Sequence, residues 1–280
     1  MAVVGPPAGG MGAEDKSLVA GANLSAASVV VGGTDVLRGR RASLIGYLGL
    51  PVALAAVCVI MFLWVGAQDL GSAERRLLNV DRISVAFARH MALTVVSTIF
   101  VILIAVPLGV LLTRPAARHL MPPVIAVANI GQAVPSIGVL VILALVWTFG
   151  FWPSIIALVA YSILPVLRNT MVGLQQVDQS VIEAGRGMGM TKGAVLRKIE
   201  LPLAVPVILA GVRTALVINV GTATLATFVN AGGLGDIING GITANRPVIT
   251  VVGSVLTAVL ALTIDHLGGI AESQLSPKGL

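Results

Sequence analysis

The chain has 280 residues, of which 56% are hydrophobic and only 11% are charged, and its formal net charge is +6. A soluble domain carries roughly 25% charged residues, so this composition excludes a soluble globular protein. Because lipid requires every backbone polar group to be satisfied within its own segment, the composition predicts an all-α, polytopic membrane protein. The single cysteine, Cys58, lies in an apolar run, which excludes an internal disulfide and a cysteine-built metal site.

The chain begins with a stretch rich in Gly, Ala, Ser and Val that keeps no periodicity. We interpret residues 1–40 as a disordered cytoplasmic arm. The basic stretch "RGRR" then precedes an uncharged run from Ala42 to Gln68. About 20 apolar residues span a bilayer, so this run predicts a first transmembrane helix within residues 41–68. A cleaved signal peptide is the alternative, but its apolar core would be only about 7–15 residues long and nearer the start of the chain.

Five more spans are predicted farther along the chain. A second uncharged run follows a stretch of mixed charge, and no charged residue then occurs between His119 and Arg168. That length suffices for two spans, which the turn-forming stretch "GFWPS" separates. Pro135 lies inside the third span and predicts a kink or break there. The predicted spans two to six are residues 91–113, 123–148, 153–168, 203–229 and 248–264.

The distribution of Lys and Arg predicts the orientation. With the amino terminus inside, the inner segments hold twelve basic residues and the outer segments five, and Arg213 is left within a span. The positive-inside rule therefore favours six spans with both termini cytoplasmic. It also places the charged loop, residues 171–202, on the cytoplasmic side. The basic residues are not clustered on a soluble module, so we expect no nucleic-acid partner, and the absence of a strong internal repeat argues against inverted halves.

The charged loop contains the stretch "SVIEAGRGMGMTKGAVLRKIELP". Ser180 and Glu183 have the spacing of a capping box. Gly189 closes a glycine-rich break and is expected to adopt a positive φ, and Thr191 can cap a second short helix. The pattern predicts helix, turn and helix. Apolar residues that the loop cannot bury in itself, among them Met188, indicate a docking surface.

The same residues carry a family resemblance. Glu183-Ala184-Gly185, Gly189 and Ile199-Glu200-Leu201-Pro202 resemble the EAA loop of ABC importer permeases, which reads E-A-A, three residues, G, nine residues, I-x-L-P. Gly185 in place of the second Ala is the only departure. The stretches "ILPVLRNTMVGL" and "GTATLATFVNAGGLGD" are similar to permeases that import the osmoprotectants glycine betaine, choline, carnitine or proline. The resemblance covers about residues 85–245.

The resemblance implies a type I ABC importer (MetI-like) fold, a five-helix permease core over residues 85–268 with an additional N-terminal helix and a short cytoplasmic tail, residues 269–280. It implies a bacterial inner-membrane location, a second permease subunit of the same or a similar chain, cytoplasmic ABC ATPases and an extracytoplasmic substrate-binding protein. The sequence has no catalytic constellation and no phosphate-binding loop. ATP and Mg²⁺ are thus expected on the partner ATPase, and no enzymatic site, cofactor or metal on this chain. The residues implied in ATPase coupling are Glu183, Ala184, Gly185, Gly189, Ile199, Leu201 and Pro202.

Polar residues within the third and fifth spans are candidates for the translocation path. Small and hydroxylated residues also let membrane helices pack closely and bond to one another, which is the alternative. Arg213 is a functional candidate because a charge within a span is costly, but its long side chain can instead reach the cytoplasmic interface or brace the charged loop. The pathway candidates are Asn129, Gln132, Ser136, Asn219, Thr222 and Asn230.

Three alternatives to an osmoprotectant permease stay open. A permease for methionine or another amino acid shares the charged loop and differs only in cargo. A secondary transporter or channel that works alone needs no ATPase and leaves the charged loop without a role. A membrane anchor that recruits a soluble partner leaves the polar residues in the spans without a role.

Overall fold

The structure is a computed structural model that describes residues 47–275. The predicted arm, residues 1–40, and the last part of the predicted tail lie outside the described residues. The chain divides after Ala55 into two units, of which the first contributes only the start of one helix to the described part. Every regular element within the described range is helical. The helices are α1 (Tyr47–Gly66), α2 (Ser72–Leu77), α3 (Val80–Leu112), α4 (Met121–Ala133), α5 (Ser136–Val146), α6 (Phe151–Gln175), α7 (Gln179–Gly187), α8 (Lys192–Val195), α9 (Leu201–Ala223), α10 (Leu234–Thr243) and α11 (Pro247–Leu275).

The lengths and apolarity of these helices confirm an all-α, polytopic membrane protein. By length and composition, α1, α3, α6 and α11 can each cross a bilayer. The helical segment Lys192–Val229, which contains α9, is a fifth such span. The bent pair of α4 and α5 supplies a sixth if it crosses as one unit. The six predicted spans thus correspond to five continuous spans and one broken one.

Pro135 breaks the third predicted span. α4 ends at Ala133 and α5 begins at Ser136, and the two helices are bent by 94°. The residue before a proline is pushed out of the helical region, and Val134 accordingly has a ψ of 134°. Proline also lacks the N–H that a continuing helix needs. The break predicted at Pro135 is confirmed, and it is close to a right angle.

The second span begins earlier as a helix than the charge pattern predicts. Asn79 caps α3, because its side-chain oxygen accepts a hydrogen bond from the Arg82 backbone N–H at 2.8 Å. α3 therefore starts at Val80 and has 33 residues, which is roughly 50 Å against about 30 Å of hydrocarbon. The predicted start near residue 91 marks where apolar sequence begins. It is wrong as the start of the helix, which continues into the polar stretch.

The C-terminal part of the chain also holds more helix than predicted. α11 continues to Leu275, so the predicted sixth span (248–264) and the first part of the predicted tail (from 269) belong to one helix. The Gly- and Asn-rich segment before it contains α10, whose buried residues Leu234 and Ile237 have helical spacing. The many glycines around them conceal that periodicity.

α6 contacts both α3 and α9 and forms the centre of the bundle. Small residues bring these helices close together. A Cβ at Gly173 would lie 3.1 Å from the carbonyl oxygen of Ala204, and one at Gly211 would lie 2.9 Å from the carbonyl oxygen of Pro165. Larger residues at either position would push α6 and α9 apart, as expected for close helix packing in a membrane.

Candidate functional site

Asp178 caps α7, the first helix of the charged loop. Its carboxylate accepts a hydrogen bond from the Ser180 backbone N–H at 2.8 Å, and this bond holds the pKa of the Asp178 carboxyl below its ordinary value. The capping box predicted from Ser180 and Glu183 is wrong, because the helix already begins at Gln179. Glu183 instead accepts a hydrogen bond from the Gln179 side chain at 3.3 Å, on the exposed surface.

α7 has one buried face and one exposed face. Ile182 and Gly185 are buried against the rest of the loop. Val181, Ala184 and Met188, at spacings of three and four residues, lie on one exposed side, and Met188 is 75% exposed. Residues at these spacings share a face of a helix. We call these three residues the α7 stripe; it is an apolar surface that no described part of the chain covers.

Gly185 permits a close approach between α7 and the segment that leads into α9. A Cβ at this position would lie 2.5 Å from the Ile199 side-chain methyl Cδ1 and 3.5 Å from the Met190 sulfur. Val195 is fully buried nearby, so the inner face of α7 packs on a small apolar centre. The one departure from the family pattern, Gly for Ala, therefore has a structural consequence: Ile199 occupies the space of the missing methyl group.

Gly189 forms the turn between α7 and α8. Its φ is +83°, which confirms the expected positive value, and its N–H donates to the Arg186 carbonyl at 2.9 Å. Thr191 caps α8 as predicted, because its hydroxyl oxygen accepts the Ala194 N–H at 3.3 Å. The predicted helix, turn and helix is thus present, with a different first cap.

A wide turn connects α8 to α9. The Leu201 N–H donates to the Leu196 carbonyl, five residues earlier, and residues Leu196–Glu200 form a π-helical turn. Pro202 follows as the second residue of α9, directly after this wide turn, and it has no backbone N–H to donate to the preceding turn. Such π turns occur frequently at functional sites.

Glu200 is the buried charge of this region, and sequence reasoning assigned it no role of its own. It is 5% exposed and makes two hydrogen bonds with Arg114, which lies just beyond the end of α3. Arg114 Nη1 donates to Oε1 at 3.2 Å and Nη2 donates to Oε2 at 2.5 Å. The sequence contains a signal for this pair: a carboxylate at the membrane edge needs a cation, and Arg114 directly follows the second predicted span, 91–113, at the same membrane edge as the charged loop.

Arg213 is paired rather than isolated. Its guanidinium donates to both oxygens of Asp265 at 2.6 and 2.7 Å, and Glu272 lies 3.7 Å away. Both acids belong to α11, which extends far enough to supply them because it continues beyond the predicted last span. A Cβ at Gly268 would lie 3.0 Å from the Arg213 side chain, so a glycine makes room for the pair. Arg213 therefore fastens α9 to α11.

The pathway candidates of the broken span lie along the contact between α4 and α6. The Gln132 amide donates to the Tyr161 carbonyl at 3.0 Å. The Asn129 side chain accepts from Arg168 at 2.9 Å, at an exposed position. Ser136 is the first residue of α5, just past the break. The bonds of Gln132 and Asn129 join α4 to α6, and the role of all three residues in a pathway stays a prediction.

The remaining pathway candidates lie elsewhere. Asn219 is fully buried and donates to the Thr98 hydroxyl at 3.0 Å, while its own side-chain oxygen has no partner in the described part of the protein. Thr222 is also buried. Asn230 is exposed in a turn, with a φ of +59°. No hydrogen bond of the described residues joins two of the six candidates to each other, and their common role in a pathway stays a prediction. Between residues 47 and 275, no group of three or more His, Cys, Asp or Glu is placed to hold a metal ion.

Comparisons with known proteins agree with this architecture. A family model described as "Binding-protein-dependent transport system inner membrane component" matches residues 105–276. The carnitine transport permease protein OpuCD of Listeria monocytogenes is 45% identical over 192 residues, which are 68% of this chain and 85% of that protein. The osmoprotectant import permease protein OsmY of Salmonella typhimurium is 38% identical over 231 residues, which are 82% of this chain and 95% of that protein.

A solved structure gives the same result for the fold. A chain of the MetNI methionine ABC transporter superposes with a TM-score of 0.63 and 26% identity, covering 74% of this chain and 100% of that one. The predicted MetI-like fold is thus confirmed. The family match and the relatives together cover the bundle from α3 to α11, including the charged loop. The chain therefore belongs to the family of binding-protein-dependent transport system inner membrane components.

Proposed function

We propose that this chain is the permease subunit of an ATP-driven importer of osmoprotectants and that its charged loop docks on a partner ATPase. The observation that carries the proposal is that α7 packs on the loop with one face and leaves an apolar face exposed. Its inner face is held by Ile182 and Gly185, whereas the α7 stripe presents apolar side chains to water. An exposed apolar surface next to charged residues is typical of a protein interaction site.

The partner that covers the α7 stripe is a cytoplasmic ABC ATPase. Glu183 and Arg186 are exposed beside the stripe and supply the polar rim that interfaces commonly have. The sequence contains no glycine-rich phosphate loop of the Gly-Lys-Ser/Thr type. We therefore assign ATP and Mg²⁺ to the partner and no cofactor or enzymatic activity to this chain.

Two connections carry movement of α7 into the membrane. Ile199 packs in the space over Gly185, so a displacement of α7 pushes on the segment that continues directly into α9. Glu200, in the same segment, is bonded to Arg114 at the end of α3. Closure of the ATPases is thus transmitted to α9 through the chain and to α3 through the ion pair.

The assembly requires partners on both membrane faces. A second permease subunit, identical or similar, completes the pathway, and an extracytoplasmic binding protein delivers the cargo. The ATPase is cytoplasmic, so α7 and α8 lie on the cytoplasmic side of a bacterial inner membrane. If the bent pair crosses as one span, the count of six spans supports our inference that both termini are on the same side as α7.

The cargo assignment rests on the relatives. The proteins that are 45% and 38% identical to this chain are named for carnitine and for osmoprotectants, whereas the methionine transporter matches at 26%. We therefore favour glycine betaine, carnitine, choline or proline over methionine. All but proline carry a quaternary ammonium group.

The test is uptake of radiolabelled glycine betaine after a salt upshift, in a strain lacking this chain and in the same strain complemented with it. We expect uptake that depends on the chain and is competed by choline or carnitine but not by methionine. Competition by methionine alone would contradict the cargo. A complemented strain whose partner ATPase is deleted distinguishes an ABC importer from a secondary transporter or channel. Uptake that survives in that strain indicates a transporter that works alone.

A further inference from the structure

A positively charged pocket lies at the end of α3 opposite to Arg114. About 23 residues of α3 separate Arg89, which lines the pocket, from the last helical residue, Leu112, roughly 34 Å, so the pocket and the charged loop lie on opposite sides of the hydrocarbon. The pocket has a volume of about 200 Å³. It is lined by Arg82, Val85, Ala86 and Arg89 of α3 and by Gly233, Asp236 and Ile237 at the start of α10.

The two arginines in the pocket are uncompensated. No carboxylate of the described residues lies within ion-pair distance of Arg82 or Arg89, and both side chains are exposed. Asp236 is occupied otherwise: it accepts the Thr227 hydroxyl at 2.5 Å and lies in the first turn of α10, where the helix N-terminus stabilises a negative charge. The pocket keeps a net positive charge.

The backbone is shaped around Arg89 and the neighbouring His90. Gly232 has a φ of +81°, and a Cβ there would lie 2.8 Å from Arg89 Cδ. Gly233 has a φ of +106°, and its Cβ would lie 3.1 Å from His90 Nδ1.

The buried His90 ring fastens both sides of this contact, since Nδ1 accepts the Leu234 N–H at 3.3 Å and Nε2 donates to the Val220 carbonyl at 3.0 Å. The stem of Arg89 is therefore held against the glycine pair, and its guanidinium is presented at the pocket.

The position of the pocket along α3 places it outside the hydrocarbon. If α3 leaves the lipid near Leu112, at its cytoplasmic end, about 20 of its residues cross the hydrocarbon. The first three turns of α3 then lie beyond the hydrocarbon on the outer side. Arg82 is then roughly 15 Å past the hydrocarbon edge, farther than the headgroup layer extends. A lipid phosphate can reach Arg89 more easily than Arg82, whereas a protein that sits on the outer face can reach both.

We propose that this pocket receives an acidic side chain of the extracytoplasmic binding protein when that protein docks. The proposal rests on the orientation and partners given above and adds a residue-level contact to them. Guanidinium groups bind carboxylates through paired hydrogen bonds. Val85, which is 54% exposed in the pocket wall, provides an apolar contact beside the charge. Arg89, whose side chain is held against the glycine pair, binds the carboxylate, and Arg82, about two helix turns farther out, guides the approaching carboxylate.

The test uses the complete transporter, with its ATPases, in lipid nanodiscs, titrated with its binding protein. The readout is the concentration of binding protein that gives half-maximal stimulation of ATP hydrolysis. We expect about a tenfold increase for R82Q/R89Q together and a smaller increase for each single variant. R76Q is the matched control, because Arg76 is exposed at the same end of the bundle and does not line the pocket. Stimulation by the wild type should weaken with added salt, and this dependence should be smaller in the double variant.

Three outcomes would overturn the proposal. The first is a double variant that behaves like R76Q. The second is a loss of uptake for glycine betaine but not for choline at unchanged half-maximal binding protein, since it assigns the pocket to the carboxylate of the cargo. The third is an effect that disappears in nanodiscs without anionic lipid, which assigns the arginines to lipid. A wild-type transporter that is stimulated by its binding protein but moves none of the osmoprotectants contradicts the cargo only, and the titration still tests the pocket.

Discussion

Arg114 and Glu200 join the end of α3 to the segment that connects the charged loop with α9. They are 86 positions apart in the chain, and the carboxylate is almost fully buried while the guanidinium is about one-third exposed. Removing one member of such a buried ion pair lowers stability more than replacing both members with apolar residues, because the remaining charge stays desolvated. The pair is the one connection in the described loop that leaves the local sequence and reaches another membrane helix through charge.

The first prediction concerns this pair. E200Q and R114Q should each lower transport about tenfold while the ATPase still copurifies, because α7 remains intact but α3 no longer follows the loop. The exchange R114E/E200R should restore part of the activity. The measurement is cargo transported per ATP hydrolysed in proteoliposomes, with R197Q as the control at an exposed basic residue of the same loop. Equal ratios in E200Q, R114Q and R197Q would show that the pair has no part in coupling.

Gly185 supplies the second prediction. G185A adds a methyl group 2.5 Å from the Ile199 Cδ1 atom, and because that atom ends a flexible side chain, we expect near-normal function. G185V should displace α7 and weaken ATPase copurification severalfold, since a branched side chain leaves Ile199 no alternative position. The double variant G185V/I199A should recover binding. If G185V alone behaves as the wild type, the close packing of α7 on Ile199 is unimportant for docking.

Gly189 and Gly187 form a matched pair for the third prediction. Apart from its own neighbours along the chain, neither has an atom within 4 Å of an added Cβ, but only Gly189 has a positive φ, +83°. G189A therefore imposes backbone strain of about 1–2 kcal/mol on the turn, whereas G187A replaces a helical glycine and should be neutral or slightly stabilising. Thermal unfolding in detergent and ATPase copurification measure both effects. A similar loss in both variants would mean that the open space, not the φ angle, matters.

The docking surface gives the fourth prediction. M188E should weaken association with the ATPase by at least tenfold, because it places a charge in the α7 stripe, while M188L keeps the apolar contact and should bind normally. Met188 is 75% exposed, so neither change should disturb folding. Membrane abundance of the variants is the control, and pull-down of the ATPase is the measurement. Normal binding by M188E would remove the stripe from the interface.

Features set by a few neighbouring residues were predictable from the sequence. The break at Pro135 follows from a missing N–H, and the turn at Gly189 from a conformation that glycine adopts at little cost. The family pattern identified the loop because its positions are fixed by local spacing. The cap of α7 was missed, although it is local, because Asp178 comes before Ser180 and both have the chemistry of a cap.

Features that depend on a partner distant in sequence were not predictable. The ion pairs of Glu200 and Arg213 require knowing which helices are neighbours, and the sequence contained several basic and acidic residues at each membrane edge. The start of α3 and the end of α11 were missed for a different reason. Charge marks where a segment leaves the hydrocarbon, but a helix continues until its backbone is capped, as Asn79 shows for α3.

The pair of Arg213 and Asp265 gives the last prediction. D265N leaves Arg213 with Glu272 at 3.7 Å and should lower the unfolding temperature only slightly, since all three side chains are about one-third exposed. D265N/E272Q removes both acidic partners and should lower it further, because a cation within a membrane helix then lacks compensation. R213Q combined with D265N and E272Q should recover stability, since no charge is left unpaired. The measurement is thermal unfolding of the purified transporter. If the double and triple variants unfold at the same temperature, the uncompensated charge of Arg213 does not determine the stability of the contact between α9 and α11.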